Sequence, residues 1–223
     1  MATRDVFREL QSGYTRVTCS DWRILDQDAP STVPTSKPTT FNPMFKSDTA
    51  DSFDGSAGGK KLLVKFTEPI ASRTGYRNNL LWTFAGNTNT TLQARTVVTF
   101  SDAASHRATL IPRFRFITAD FDASTITWTN HSSSLTFGAT HSIVIASATN
   151  TGTCPIGNSL TCDTLLWTLH GFITTGGLTI YGFVFDAKGQ VTGTPSSFSC
   201  SHVIMSTAAT GPEGVFYQQQ AGT

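Results

Sequence analysis

Charge is what this chain has least of. Only 14% of its 223 residues are Asp, Glu, Lys or Arg, against about 25% in an average soluble domain. The two signs nearly cancel, 16 basic against 15 acidic, leaving a net charge of +1. The surplus of positive charge that drives strong, sequence-independent nucleic-acid binding is therefore missing. Glutamate is scarcest, at Glu9, Glu68 and Glu213. No long, unbroken apolar run occurs, so no membrane-spanning helix is expected. The opening MATRDVFREL is charged and lacks an apolar centre, so it does not read as a secretory signal. Cysteine is sparse too, at Cys19, Cys154, Cys162 and Cys200. Their spacing fits no zinc pattern. Without a signal for an oxidising compartment we expect thiols rather than disulfides. Asn89-Thr90-Thr91 and Asn130-His131-Ser132 match the glycosylation sequon. On the same ground they read as ordinary loop residues.

What the chain has instead is Ser and Thr, about a quarter of all residues, and 16 Phe. Its apolar content is too high for a disordered chain, and the length allows one large all-β domain. Three zones follow. Residues 1–59 contain Pro30, Pro34, Pro38 and Pro43. Proline lacks a backbone N–H and holds its predecessor extended, so this zone reads as an extended N-terminal arm. Trp22, Leu25, Phe41, Phe45 and Phe53 suggest that the arm lies on a surface rather than in solvent. Residues 60–206 carry nine short runs rich in β-branched and aromatic residues, including KLLVKFT, LLWTFA, RATLIPRFRFIT, STITWT and LTIYGFVFD. Turn formers such as Gly86-Asn87, Gly176-Gly177 and Lys188-Gly189 separate them. With no helical stripe between the runs, the expected fold is all-β, an antiparallel β-sandwich. Pro112 inside its run predicts a sheet edge or a bulge. Residues 207–223 form a small polar tail around Val215, Phe216 and Tyr217, which either anchors on a neighbouring surface or frays.

A reacting centre needs titratable groups that converge. His106, His131, His141, His170 and His202 share no metal-ligand spacing. His170 and His202 fall in apolar runs and read as packed imidazoles, whereas His106 and His131 fall in turns and read as exposed. Asp120 and Asp122 flank Phe121. On a strand they would share a face and hold a cation; in a turn they would cap it, which is the preferred reading. Asp48, Asp51 and Asp54 depart from a calcium-loop pattern. Arg107, Arg113 and Arg115 are the densest basic patch, a phosphate contact or, preferably, a solvated sheet face. Trp82, Trp128 and Trp167 lie within strand runs and favour core packing over ligand stacking. No catalytic, metal-binding or cofactor-binding residue is assigned, and no enzyme activity is expected.

A Ser/Thr-rich β-sandwich with a proline-rich aromatic arm, a short tail and no catalytic set resembles the jelly-roll coat proteins of non-enveloped icosahedral viruses. The resemblance implies an eight-stranded jelly roll and a structural role in a shell around viral RNA. The near-neutral arm, Arg4, Arg8, Arg16, Arg23, Lys37 and Lys46 offset by Asp5, Glu9, Asp21, Asp26, Asp28 and Asp48, departs from Arg-rich genome-binding arms. That points to the picornavirus-like group with several small coat proteins. The implied partners are copies of this chain, sister coat proteins and weakly held RNA on the inner surface, together with an unidentified receptor or vector factor. The implied locations are the virion and, during assembly, the host cytoplasm. On this view, deletion of residues 1–45 would leave a folded sandwich that assembles poorly. The alternative is a carbohydrate-binding or adhesin-like β-sandwich that uses surface aromatics such as Trp82 or Trp128. A third reading is a sandwich-fold hydrolase with carboxylates drawn from distant strands.

Overall fold

A computed structural model of the chain describes residues 14–35, 40–41, 44–45, 59–83, 93–100, 106–138, 142–145, 152–154, 159–166, 168–173, 176–192, 198–205 and 213–220. Their side chains are described at 15–35, 59–80, 115–138, 176–186 and 214–220. Fourteen strands occur among the described residues, in an all-β and mostly antiparallel fold. They are β1 (Tyr14–Asp26), β2 (Thr40–Phe41), β3 (Met44–Phe45), β4 (Lys60–Ala71), β5 (Tyr76–Thr83), β6 (Gln93–Phe100) and β7 (His106–Ile117). The second half holds β8 (Ser142–Ile145), β9 (Gly152–Cys154), β10 (Ser159–Leu166), β11 (Thr168–Ile173), β12 (Thr179–Thr192), β13 (Phe198–Met205) and β14 (Glu213–Gln220). One sheet runs β8-β11-β5-β14-β1-β4-β12-β7-β9, with β3 parallel to β12. A second runs β10-β6-β13-β2.

Eight of the nine apolar runs become strands. The exception is STITWT. Residues 123–125 form a turn of 3-10 helix and residues 127–130 a hydrogen-bonded turn. β propensity loses here to local side-chain bonds. Asp122 caps the 3-10 turn, and the Asn130 amide takes the Thr127 N–H and gives to the Thr125 carbonyl. Pro112 stands in the part of β7 where β12 is its one ladder partner among the described strands, because β9 pairs only with residues 106–108. That is the edge position its missing N–H predicts.

Both terminal zones enter the sheet. β1, inside the stretch expected to be an arm, pairs with β14 through residues 14–18 and with β4 through residues 19–26. Its Val17, Trp22 and Leu25 are buried. Of the residues that set this segment apart from a linker, Trp22 and Leu25 therefore belong to the chain's own core. Deleting residues 1–45 would remove those side chains, so the expected folded remnant does not agree with this packing. The tail forms β14, hydrogen-bonded between β1 and β5, with Val215 and Phe216 buried. Residues 46–58, including Asp48, Asp51, Phe53 and Asp54, lie outside the described residues.

The core centres on β4, β12 and β7. Antiparallel register puts Val64 beside Phe183 and Phe183 beside Phe116, all fully or almost fully buried. Phe66 meets Phe183 edge to face, with ring centroids 6.1 Å apart. The β4–β12 ladder slips between Ile180 and Gly182. There the backbones approach so closely that a Cβ on Gly182 would lie 2.0 Å from the Val64 carbonyl oxygen. Only glycine fits that rung.

Candidate functional site

Side chains alternate across a strand, so the aromatic face of β4, β12 and β7 has a second face behind it. Register places Lys61, Leu63 and Lys65 of β4, Gly182, Val184 and Asp186 of β12, and Arg113, Arg115 and Ile117 of β7 on that face. Leu25 and Arg23 of β1 join it opposite Lys61 and Leu63. It carries most of the charge that the core region possesses.

Residues 118–138 cover this face. The segment leaves β7 and returns beside it: Thr118 N–H donates to Thr136 O at 2.8 Å, and Ile117 bridges to Phe137. Phe121, Ala123, Ile126 and Leu135 bury against Leu25, Leu63, Ile117 and Val184. The cover is tied to the turn after β1, because both the N–H and the hydroxyl of Thr129 donate to Pro30 O at 3.0 Å.

Three cations of the face each meet an aromatic ring of the cover. Lys61 Nζ lies 4.7 Å from the centre of Trp128, Lys65 Nζ 5.2 Å from Phe121, and the Arg115 guanidinium 4.1 Å from Phe137. The ring quadrupole gives each cation a partner that water would otherwise supply. Carboxylates supply the rest. Lys61 Nζ is 2.5 Å from Asp186 Oδ2, and both side chains are 0% exposed. Lys65 pairs with Asp120 at 2.9 Å and also donates to the Phe121 carbonyl, but both side chains remain open to solvent.

The turn reading of the two aspartates describes their geometry. Asp120 accepts the Phe121 N–H at 2.8 Å as well as pairing with Lys65. Asp122 accepts the N–H and the hydroxyl of Ser124 at 2.9 and 2.7 Å. These bonds hold both carboxyls below the ordinary aspartate value, Asp120 chiefly through Lys65 and Asp122 chiefly through the Ser124 hydroxyl. His131 differs from its expected exposure. It is buried, with its ring 5.7 Å from that of Trp128 and Nδ1 2.6 Å from the Trp128 carbonyl oxygen. Trp128 is half-buried between Lys61 and His131. Asn130 uses both ends of its amide within the loop, which leaves the sequon's nitrogen committed.

Arg113 stands opposite Asp186 in register, and Arg107 opposite Thr192. Trp82 stands opposite Leu169 and Gly214, His170 opposite Leu81 and Val144, His202 opposite Thr96, and His106 opposite Cys154. The side chains of Trp82, His106, Arg107, Arg113, His170 and His202, and Trp167 and His141 altogether, lie outside the described set. Cys19 keeps a thiol. The structure thus brings Asp120, Asp122, Trp128 and His131 together on one cover, with Arg115 on the sheet face beneath it. Lys61, Lys65 and Asp186 of this face were not candidates by sequence, and the fully buried pair among them is Lys61 and Asp186. They are 125 positions apart, and only strand register joins them. Among the described residues, no group of three His, Cys, Asp or Glu could hold a metal ion, and no helix is long and apolar enough to cross a membrane. No known protein family and no curated protein matches the chain.

Proposed function

We propose that this chain is a structural coat protein. It assembles with copies of itself and with sister coat proteins into an icosahedral shell around a viral RNA genome. The tile is an eight-stranded jelly roll in plan, extended by the strands of its termini. It occupies the virion and, during assembly, the host cytoplasm. RNA touches its inner surface only weakly, and no catalytic step belongs to the role.

One observation carries the reading: among the described residues, four basic side chains are paired with carboxylates of the same chain. Lys60 pairs with Asp26 and Asp28, Lys61 with Asp186, Lys65 with Asp120, and Arg23 with Asp21. A near-neutral, internally compensated β tile is suited to packing many copies side by side, because repulsion between them stays small. The rival sugar-binding role needs exposed stacked rings. Among the described residues the one exposed large apolar side chain is Val33, in the turn after β1.

The full chain, expressed alone and with its co-encoded proteins, tests the proposal by size exclusion and negative-stain imaging. Closed particles of uniform diameter are expected. A monomer in every combination would overturn the assignment, and glycan binding by that monomer would move it to the rival.

A further inference from the structure

Lys61 and Asp186 set a primary amine against a carboxylate where water does not reach. We propose that the two condense into an intramolecular amide, so that the mature chain carries a covalent Lys61–Asp186 cross-link between β4 and β12. The inference is independent of the coat-protein reading.

Proximity is the first support. With Nζ 2.5 Å from Oδ2, the nitrogen is beside the carbon that it must attack. The ladder rungs Leu62–Phe185 and Leu63–Val184 hold the two residues side by side on neighbouring strands. Fixed juxtaposition of this kind is worth effective concentrations of about 10⁵–10⁸ M. Burial is the second support. Both side chains are 0% exposed, so two full charges sit where desolvation is costly, and amide formation removes both. The third is dryness. Trp128 faces Nζ from the cover, and Leu25 and Val184 flank the pair in the sheet. Water released here leaves a site that does not readily take it back. Arg113, opposite Asp186 in register, is the other basic residue at this rung.

The other lysine–aspartate contacts show what sets this one apart. In the Lys65–Asp120 pair the side chains are 27% and 68% exposed, and in the Lys60–Asp26 pair 23% and 35%. Solvent stabilises both as separate ions, and they stay ion pairs.

The reaction balances within the pair. The ammonium starts with three protons. One passes to Oδ2 along the hydrogen bond, leaving a neutral amine and a carboxylic acid. Nζ attacks Cγ, a second proton follows to Oδ2, the Cγ–Oδ2 bond breaks and water departs. A C–N bond replaces a C–O bond, with no oxidant, reductant or cofactor.

Intact mass of the purified full chain, measured fully denatured, tests this. The expected mass is one water below that of the sequence, after allowing for loss of Met1, and proteolysis should yield a branched peptide joining Lys61 to Asp186. Lys61→Met and Asp186→Leu should each restore the full mass. A native-sequence chain at full mass, or a water loss that maps to other residues, would overturn the proposal. Because the decisive reading is on the native sequence, a variant that fails to fold does not blunt it.

Discussion

The two faces of β4, β12 and β7 are built from alternate residues of the same strands, yet they are held together by different physics. One face, with Leu62, Val64, Phe66, Phe116, Phe183 and Phe185, is wholly apolar and buried. Its stability comes from area removed from water, and residues of similar volume are broadly interchangeable there. The other face sets Lys61, Lys65, Arg115 and Asp186 among Leu63, Ile117 and Val184. Each charge there needs a particular partner, a carboxylate or a ring of the 118–138 cover. The apolar face gives bulk stability. The charged face decides which segment may lie on it and in what register.

The largest effect should come from the apolar face. Phe183→Ala leaves a cavity at the point where β4, β12 and β7 meet and should cost about 3–5 kcal/mol, read from the denaturation midpoint. A loss below about 1 kcal/mol would mean that this face is not the core. Next is Asp186→Ala, which strands the Lys61 charge and should cost about 3–5 kcal/mol in its own right. What separates the two faces is rescue. Adding Lys61→Met to Asp186→Leu should recover the share of the loss that comes from the stranded charge and leave only the cross-link's own contribution missing, whereas no second substitution at Lys61 should rescue Phe183→Ala. Equal rescue of both would erase the distinction.

The smallest effect lies on the rim of the cover. The Asp122 carboxyl is held below its ordinary value, so its stabilising contribution is complete above the unfolded aspartate pKa and is lost as pH falls through the lower folded value. Asp122→Ala should therefore speed hydrogen exchange at the Ser124 amide near neutral pH. The difference from the native chain should close at strongly acidic pH. A difference that persists there would assign the effect to packing rather than to charge.

The apolar face was legible in the sequence because period-two alternation is local. Val64 and Phe66 in β4, Phe116 in β7 and Phe183 and Phe185 in β12 announce their buried positions without knowledge of their neighbours. The charged face was not. Lys61 reads as the polar edge of an apolar run, and Asp186 as a residue ending another. Nothing short of the β4–β12 register brings them together. STITWT failed for the opposite reason. Its composition is that of a strand, but Asp122 and Asn130 on either side offer the backbone local bonds that compete with a ladder. β1 was hidden by the prolines that follow it. The first of them, Pro30, comes only after the last residue of β1, which leaves Trp22 and Leu25 free to enter the sheet.

The pairing of β1 with β14 also fixes how the molecule answers to force. Tyr14 lies opposite Tyr217 and Thr18 opposite Glu213, so the start of β1 and the later residues of β14 lie at the same end of this ladder. Antiparallel hydrogen bonds run across the strands. Tension that draws Tyr14 and Tyr217 apart therefore loads their rung alone, and then each rung of β1 and β14 in turn, as in peeling tape. Tension applied along the strands between Lys60, where β4 begins, and Thr179, where β12 begins at the far end of their antiparallel ladder, would instead load many rungs at once in shear. The molecule is mechanically soft along one axis and stiff along the other.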